Sequence, residues 1–134
     1  MPTPRRGAQA AAKITHRQMA RYELDIEGVA RAKGRPRVTR NGTYTPESTT
    51  TWEETVGWEF VRLFGRPRVS GPVSVRIEFN QKRGDLDNLA KAILDGLNGV
   101  AWIDDSQVCQ LLLFRPPEPK GRAHTVITIE EMRQ

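Results

Sequence analysis

The change of apolar spacing between residues 73 and 97 limits this chain more than any other feature. Val73, Val75, Ile77 and Phe79 alternate with Ser74, Arg76 and Glu78, the period of a strand with one wet face. Beyond residues 80–84 the period lengthens. Leu86, Ala90, Ile93 and Leu97 fall on one stripe of a helix over 85–97, which Asn98-Gly99 ends. A strand feeding a helix through so short a loop demands a sheet with a helix laid against it.

The flanking segments fill in the rest. Residues 22–27 alternate apolar and charged and read as a half-buried strand. Asn41-Gly42 is a turn dipeptide that can fold residues 37–40 back on 43–45 as a small hairpin. Thr45-Pro46-Glu47 supplies a hydroxyl cap, an early proline and an acid, and so starts a helix. Trp52, Val56, Phe60 and Leu63 give that helix its apolar stripe, up to an end near Gly65. Residues 108–114 are apolar almost throughout, which predicts a strand covered on both faces or lying at a subunit contact. Cys109, within that run, is expected to be a buried small hydrophobe. A last strand follows over 125–130. There are no internal repeats. The order β, hairpin, α, β, α, β, β predicts a small single α+β domain with a mixed β-sheet and two main helices. Residues 1–20 carry breakers and basic residues, which predicts a basic flexible extension with a short helix around 8–17, leaving 21–134 as the folded domain.

A length of 134 residues suits one domain. No apolar run approaches the roughly 20 residues of a membrane helix. With no apolar secretory leader and a lone cysteine, which excludes an internal disulfide, the expected setting is the cytoplasm. Charge is unevenly spread. The chain has 21 Lys/Arg against 16 Asp/Glu, a net of +5; residues 1–40 hold ten bases and three acids (+7), so residues 41–134 carry −2. Arg31, Lys33, Arg35, Arg37 and Arg40, with Lys82 and Arg83 further on, are the candidates for gripping phosphates.

Against that basic background, Asp85, Asp87, Asp95, Asp104 and Asp105 crowd into 21 residues with a single lysine, Lys91. Carboxylates that close repel unless something positive lies between them. Asp85 and Asp87 stand at the mouth of a helix, where they offer the hard oxygen donors that Mg²⁺ or Mn²⁺ prefers. Asp104 and Asp105 precede the next strand, and a crossing connection must bring them back to the first pair. Lys91 lies one turn beyond Asp87 and can neutralise charge developing on a phosphoryl group. Simpler roles exist for each residue. Asp85 can cap the helix, Asp87 can pair with Lys91, Asp104-Asp105 can form a turn, and Asp95 can be structural or a partner of Lys91. His16 in the extension and His124 at a sheet edge do not compete for the chemistry. Taken together, the pattern points to a metal-dependent DNA nuclease.

Gly34-Arg35-Pro36-Arg37, Tyr44-Thr45-Pro46, the run from Asp85 to Leu97 and Trp102-Ile103-Asp104-Asp105-Ser106-Gln107-Val108 together resemble the RusA family of Holliday junction resolvases. The likeness covers about residues 22–131. It implies a homodimeric endonuclease, bacterial or phage-encoded, that needs Mg²⁺ or Mn²⁺ and nicks opposed strands of a four-way DNA junction in recombination and repair. The family's metal-binding acids map onto Asp85, Asp87 and one of the Asp-Asp pair, Asp105 by preference with Asp104 as the alternative. Its catalytic lysine maps onto Lys91. A structure-specific DNA-binding protein, or a nuclease acting on flaps and other branched intermediates, would use the same residues. A two-fold junction suits a two-fold dimer, with 108–114 as the first candidate for the subunit contact.

Overall fold

The computed structural model describes residues 19–32, 37–39, 42–44 and 47–132. The expected extension and its short helix lie almost wholly outside these, as do Lys33, Arg35 and Arg40. Eight elements follow in order: β1 (Arg21–Glu27), β2 (Arg37–Thr39), β3 (Gly42–Tyr44), α1 (Glu47–Phe64), β4 (Val73–Asn80), α2 (Leu86–Leu97), β5 (Val108–Phe114) and β6 (His124–Glu131). This is the α+β order that the spacing predicts.

Four strands form one mixed sheet in the order β1-β6-β4-β5, and β2 and β3 form a separate hairpin. β6 runs antiparallel to β1 and β4, while β5 runs parallel to β4. A parallel neighbour needs a crossover, and α2 is that crossover. The hairpin register, Arg37 opposite Tyr44 and Thr39 opposite Gly42, follows the Asn41-Gly42 turn signal.

The alternation of β4 buries Val73, Val75, Ile77 and Phe79 completely. Leu24 and Ile26 of β1 and Ile127 and Ile129 of β6 continue that face across the sheet. Trp52, Val56 and Phe60 of α1 cover it, together with Leu89, Ala90, Ala92, Ile93 and Leu97 of α2. Each fully buried Leu, Ile or Phe contributes about 1.5–3 kcal/mol, so this set fixes how α2 is rotated. Leu63, expected in the stripe of α1, is exposed, and Phe64 packs in its place against Tyr22 and Phe60.

The helices cross unusually closely. A Cβ on Gly96 would sit 2.6 Å from the Glu53 carbonyl oxygen, and one on Gly57 would sit 2.9 Å from that of Gly96. Only glycine permits backbone to meet backbone in this way.

Strand β5 departs from the first of the two readings offered for it. It has the predicted bounds, yet it lies at the sheet edge and is not covered on both faces: Leu111 is 39%, Leu112 50% and Phe114 45% exposed. Its pairing with β4 skips Cys109, which is exposed rather than buried. An unbroken apolar run is the mark of an interior strand only where layers exist on both sides; here Val108 and Leu113 pack against the core while Leu111, Leu112 and Phe114 stay exposed. Among the described residues no helix is long and apolar enough to cross a membrane.

Candidate functional site

Strand β4 ends at Asn80, and the turn that follows delivers Asp85 to the start of α2. Three side chains lash that turn in place. Asn80 donates through Nδ2 to the carbonyls of Lys120 (2.8 Å) and Arg122 (3.0 Å). Gln81 is only 7% exposed; its Oε1 accepts from Ala30 N–H at 2.7 Å, and its Nε2 donates to the carbonyls of Ala30 (3.1 Å) and Arg83 (2.9 Å). Arg115, just past β5, directs Nη1 at the carbonyls of Lys82, Arg83 and Gly84, the last at 2.7 Å. Gly84 adopts φ +98°, and a Cβ there would strike Leu89 at 2.8 Å. The loop leading to the acids is therefore fixed from three directions. Through Ala30 it is joined to the base of the basic segment that begins at Arg31.

Asp85 stands at the N-cap of α2, but its side chain makes no capping bond, and its backbone oxygen accepts from Leu89 N–H. Asp87 lies in the first turn, where the positive end of the helix dipole favours a negative charge. Both are exposed, and among the described residues neither carboxylate has a hydrogen-bond or ion-pair partner; the Asp87–Lys91 pair does not close. The simpler roles open to these two acids, a side-chain cap and an i,i+4 bridge, are thus not taken up.

The second pair is differently placed. Residues 97–102 turn back tightly, with Val100 and Ala101 N–H donating to the Leu97 carbonyl and Gly99 N–H to that of Trp102. A short 3₁₀ turn, Asp105–Gln107, then opens into β5. Asp104 caps it: Oδ2 accepts from Ser106 N–H at 2.9 Å. Gln107 answers, its Oε1 accepting from the N–H groups of Ile103 (2.9 Å) and Asp104 (2.8 Å), while Nε2 donates to the carbonyls of Val69 (2.6 Å) and Gly71 (2.8 Å). The hydrogen bonds from Ser106 hold the Asp104 carboxyl below its ordinary range. Asp105 is held by the indole N–H of the fully buried Trp102, at 2.8 Å on Oδ1. Its acidity moves the other way. Partial burial raises the Asp105 carboxyl above the ordinary range, the Trp102 bond opposes this, the charges of Asp95 and Asp104 add to it, and Lys91 works against it.

That list of neighbours carries the geometry. The crossover brings the Asp-Asp turn back beside α2, close enough for Asp105 to feel both Lys91 and Asp95. Excess negative charge around a half-buried carboxylate with one oxygen outside the Trp102 bond is the environment a cation relieves. Among the described residues, however, no three His, Cys, Asp or Glu side chains gather into a ready-made cage. Mg²⁺ does not require one, since it keeps several waters and binds through one or two carboxylates plus substrate phosphates. Asp85 and Asp87, free carboxylates two positions apart, are donors of the type such an ion takes, while the charges acting on Asp105 are those of Asp95, Asp104 and Lys91 and not those of the first pair.

Lys82 and Arg83 are exposed on the braced loop, and Arg31 is exposed next to Ala30. His124 begins β6, a strand paired on both sides and so not a sheet edge, and its ring lies 2.8 Å from the Asp25 carboxylate of β1. Sequence reasoning missed Gln81, Arg115 and Trp102. Gln81 did leave a signal, because it continues the buried phase 73, 75, 77, 79 as a polar residue in an apolar register.

A mixed sheet crossed by one helix, with acids at both approaches to that helix, defines a class of small α+β proteins with an acidic strand–helix junction. Residues 27–130 match the family described as Endodeoxyribonuclease RusA, and the chain belongs to that family. It is 42% identical over 65 residues to the crossover junction endodeoxyribonuclease RusA of Escherichia coli K12, a match covering 46% of this chain and 53% of that one. The same figures hold for the proteins of that name from Shigella sonnei and Enterobacteria phage 82. The chain thus spans about half the length of the curated relatives it matches.

Proposed function

We propose that this chain is a metal-dependent endodeoxyribonuclease that resolves four-way DNA junctions by paired symmetric nicks. The observation that carries the reading is the return of the Asp-Asp turn to α2, which sets Asp105 within electrostatic reach of Lys91 and Asp95. Asp85, Asp87 and Asp105 are the residues that would hold Mg²⁺ or Mn²⁺. Asp105 is preferred to Asp104 because it is the partly buried acid that feels Lys91 and Asp95 of α2, whereas Asp104 is exposed. When bound, the ion supplies an activated water and a clamp on the non-bridging oxygens. Lys91 neutralises charge on the phosphoryl group as it develops. Lys33, Arg35, Arg37 and Arg40, with Lys82 and Arg83, grip the backbone and set the register of the strand.

Two opposed cuts call for two sites related by a two-fold axis, so the acting species is a homodimer. The exposed apolar face of β5 is the proposed contact. Eight residues of helix separate Asp87 from Asp95 by about 12 Å along the axis, so a single chain spreads its acids along α2.

The test is cleavage of a synthetic four-way junction by the purified chain in Mg²⁺, with the cut sites mapped and EDTA as control. Symmetric nicks confined to the junction are expected. Binding without cutting would make this a structure-specific DNA-binding protein, and equal cutting of flaps would make it a general branch nuclease.

A further inference from the structure

Beside the turn that leads to Asp85 lies an open cleft of about 660 Å³, walled by Lys82 on one side and by residues 115–120 on the other. Its charged lining is Lys82, Arg115 and Lys120 against one acid, Glu118, a net of +2. Neither Lys82 nor Lys120 has an ion-pair partner among the described residues, Glu118 included. Arg115 is anchored by carbonyls alone, which leaves its positive charge without a carboxylate against it. Three cations lining a cleft against one acid leave a site of net positive potential that an anion would fill.

The cleft is also preformed. The bonds from Asn80 to the carbonyls of Lys120 and Arg122, and from Arg115 to that of Gly84, tie its two walls together. Three prolines, Pro116, Pro117 and Pro119, stiffen the outer wall. Fixed φ angles leave little chain entropy to lose when a ligand settles there. Its inner wall, Lys82, stands three residues before Asp85, so a DNA strand lying against the acids would carry its neighbouring phosphates into it.

We propose that this cleft is a phosphate track for the DNA strand running past Asp85, with Lys82 and Lys120 as its paired contacts. The assignment of Lys120 and of the proline-rich wall is new, and it rests on the endonuclease reading above. A phosphate contact has a signature that a structural role lacks. Each lysine that displaces counterions from DNA steepens the dependence of log K on log salt by about 0.9.

The experiment measures binding of the full chain to a labelled four-way junction between 50 and 200 mM KCl, in EDTA so that nothing is cut. Lys82→Gln and Lys120→Gln should each flatten the slope by about 0.9 and the double variant by about 1.8, whereas Lys120→Arg should keep the original slope. If both single variants retain the parent slope while Arg37→Ala flattens it, the track is refuted and the endonuclease reading stands. If the parent chain itself binds no DNA, both fall together.

Discussion

The two aspartate pairs are written almost alike in sequence, yet the fold treats them in opposite ways. Asp85 and Asp87 project from the start of α2 with no partner for either carboxylate among the described residues. Asp104 and Asp105 are both engaged, one capping a turn and the other receiving an indole N–H. Each pair also has its own glutamine. Gln81 holds the loop before the first pair to Ala30, and Gln107 holds the turn of the second pair to Val69 and Gly71. The contrast teaches that the first pair is held through its loop, which leaves its carboxylates free, whereas the second pair is held through its own carboxylates.

The sharpest way to break this comparison is to remove a free carboxylate. Asp87→Asn should keep junction binding and lower the rate of nicking in Mg²⁺ by more than about 100-fold, since even the outer partners of a metal ligand typically cost 10–100-fold. Cutting at the parent rate would show that the first pair is not the working one.

Next come the two glutamines. Gln81→Leu strands the Ala30 N–H and carbonyl in a buried place and should cost about 2–3 kcal/mol in urea unfolding. Gln107→Leu, on a more open turn, should cost about 1–2 kcal/mol. A reversed order would mean that the second pair, not the first, is the more firmly built.

The smallest effect is the most discriminating, because adjacent acids should respond to pH with opposite sign. The Asp104 carboxyl is held below its ordinary value of 3.8, so its contribution to stability is present above that value and lost as the pH falls through its folded value. The Asp105 carboxyl is raised, so stability is lost as the pH climbs through its folded value. At pH 7 in EDTA, Asp104→Ala should therefore lower the urea midpoint and Asp105→Asn should raise it. Both differences should fade below the carboxylate range. Equal and same-signed shifts would remove the distinction between the two acids.

Much of this was legible in the residues. The spacing of Val73 to Phe79 and of Leu86 to Leu97 placed β4 and α2, and Asn41-Gly42 placed the hairpin. Hydrophobic periodicity reports which side of an element is buried by its own neighbours, and for those segments the neighbours are in the same chain. It did not settle β5, because Leu111, Leu112 and Phe114 read equally as interior residues or as a subunit contact, and in the single chain they are exposed. Cys109 failed with them, since a register skip cannot be read from composition. At the site, the acids and Lys91 were visible as residue types. Their supports were mostly not, because Arg115 reaches the Lys82–Gly84 carbonyls from more than 30 positions away and Trp102 meets Asp105 only once the chain has turned. Long-range hydrogen bonds leave no local period.

Strand β5 pairs on one side only, and Arg115, the basic residue that follows it in the chain, turns its guanidinium toward the loop. Nothing charged along the strand itself discourages another chain from extending the sheet there. Solubility and self-association are for this reason one property of the molecule. A lysine placed at Leu112 to keep the protein dispersed would remove the same surface that is proposed as the contact with a second copy.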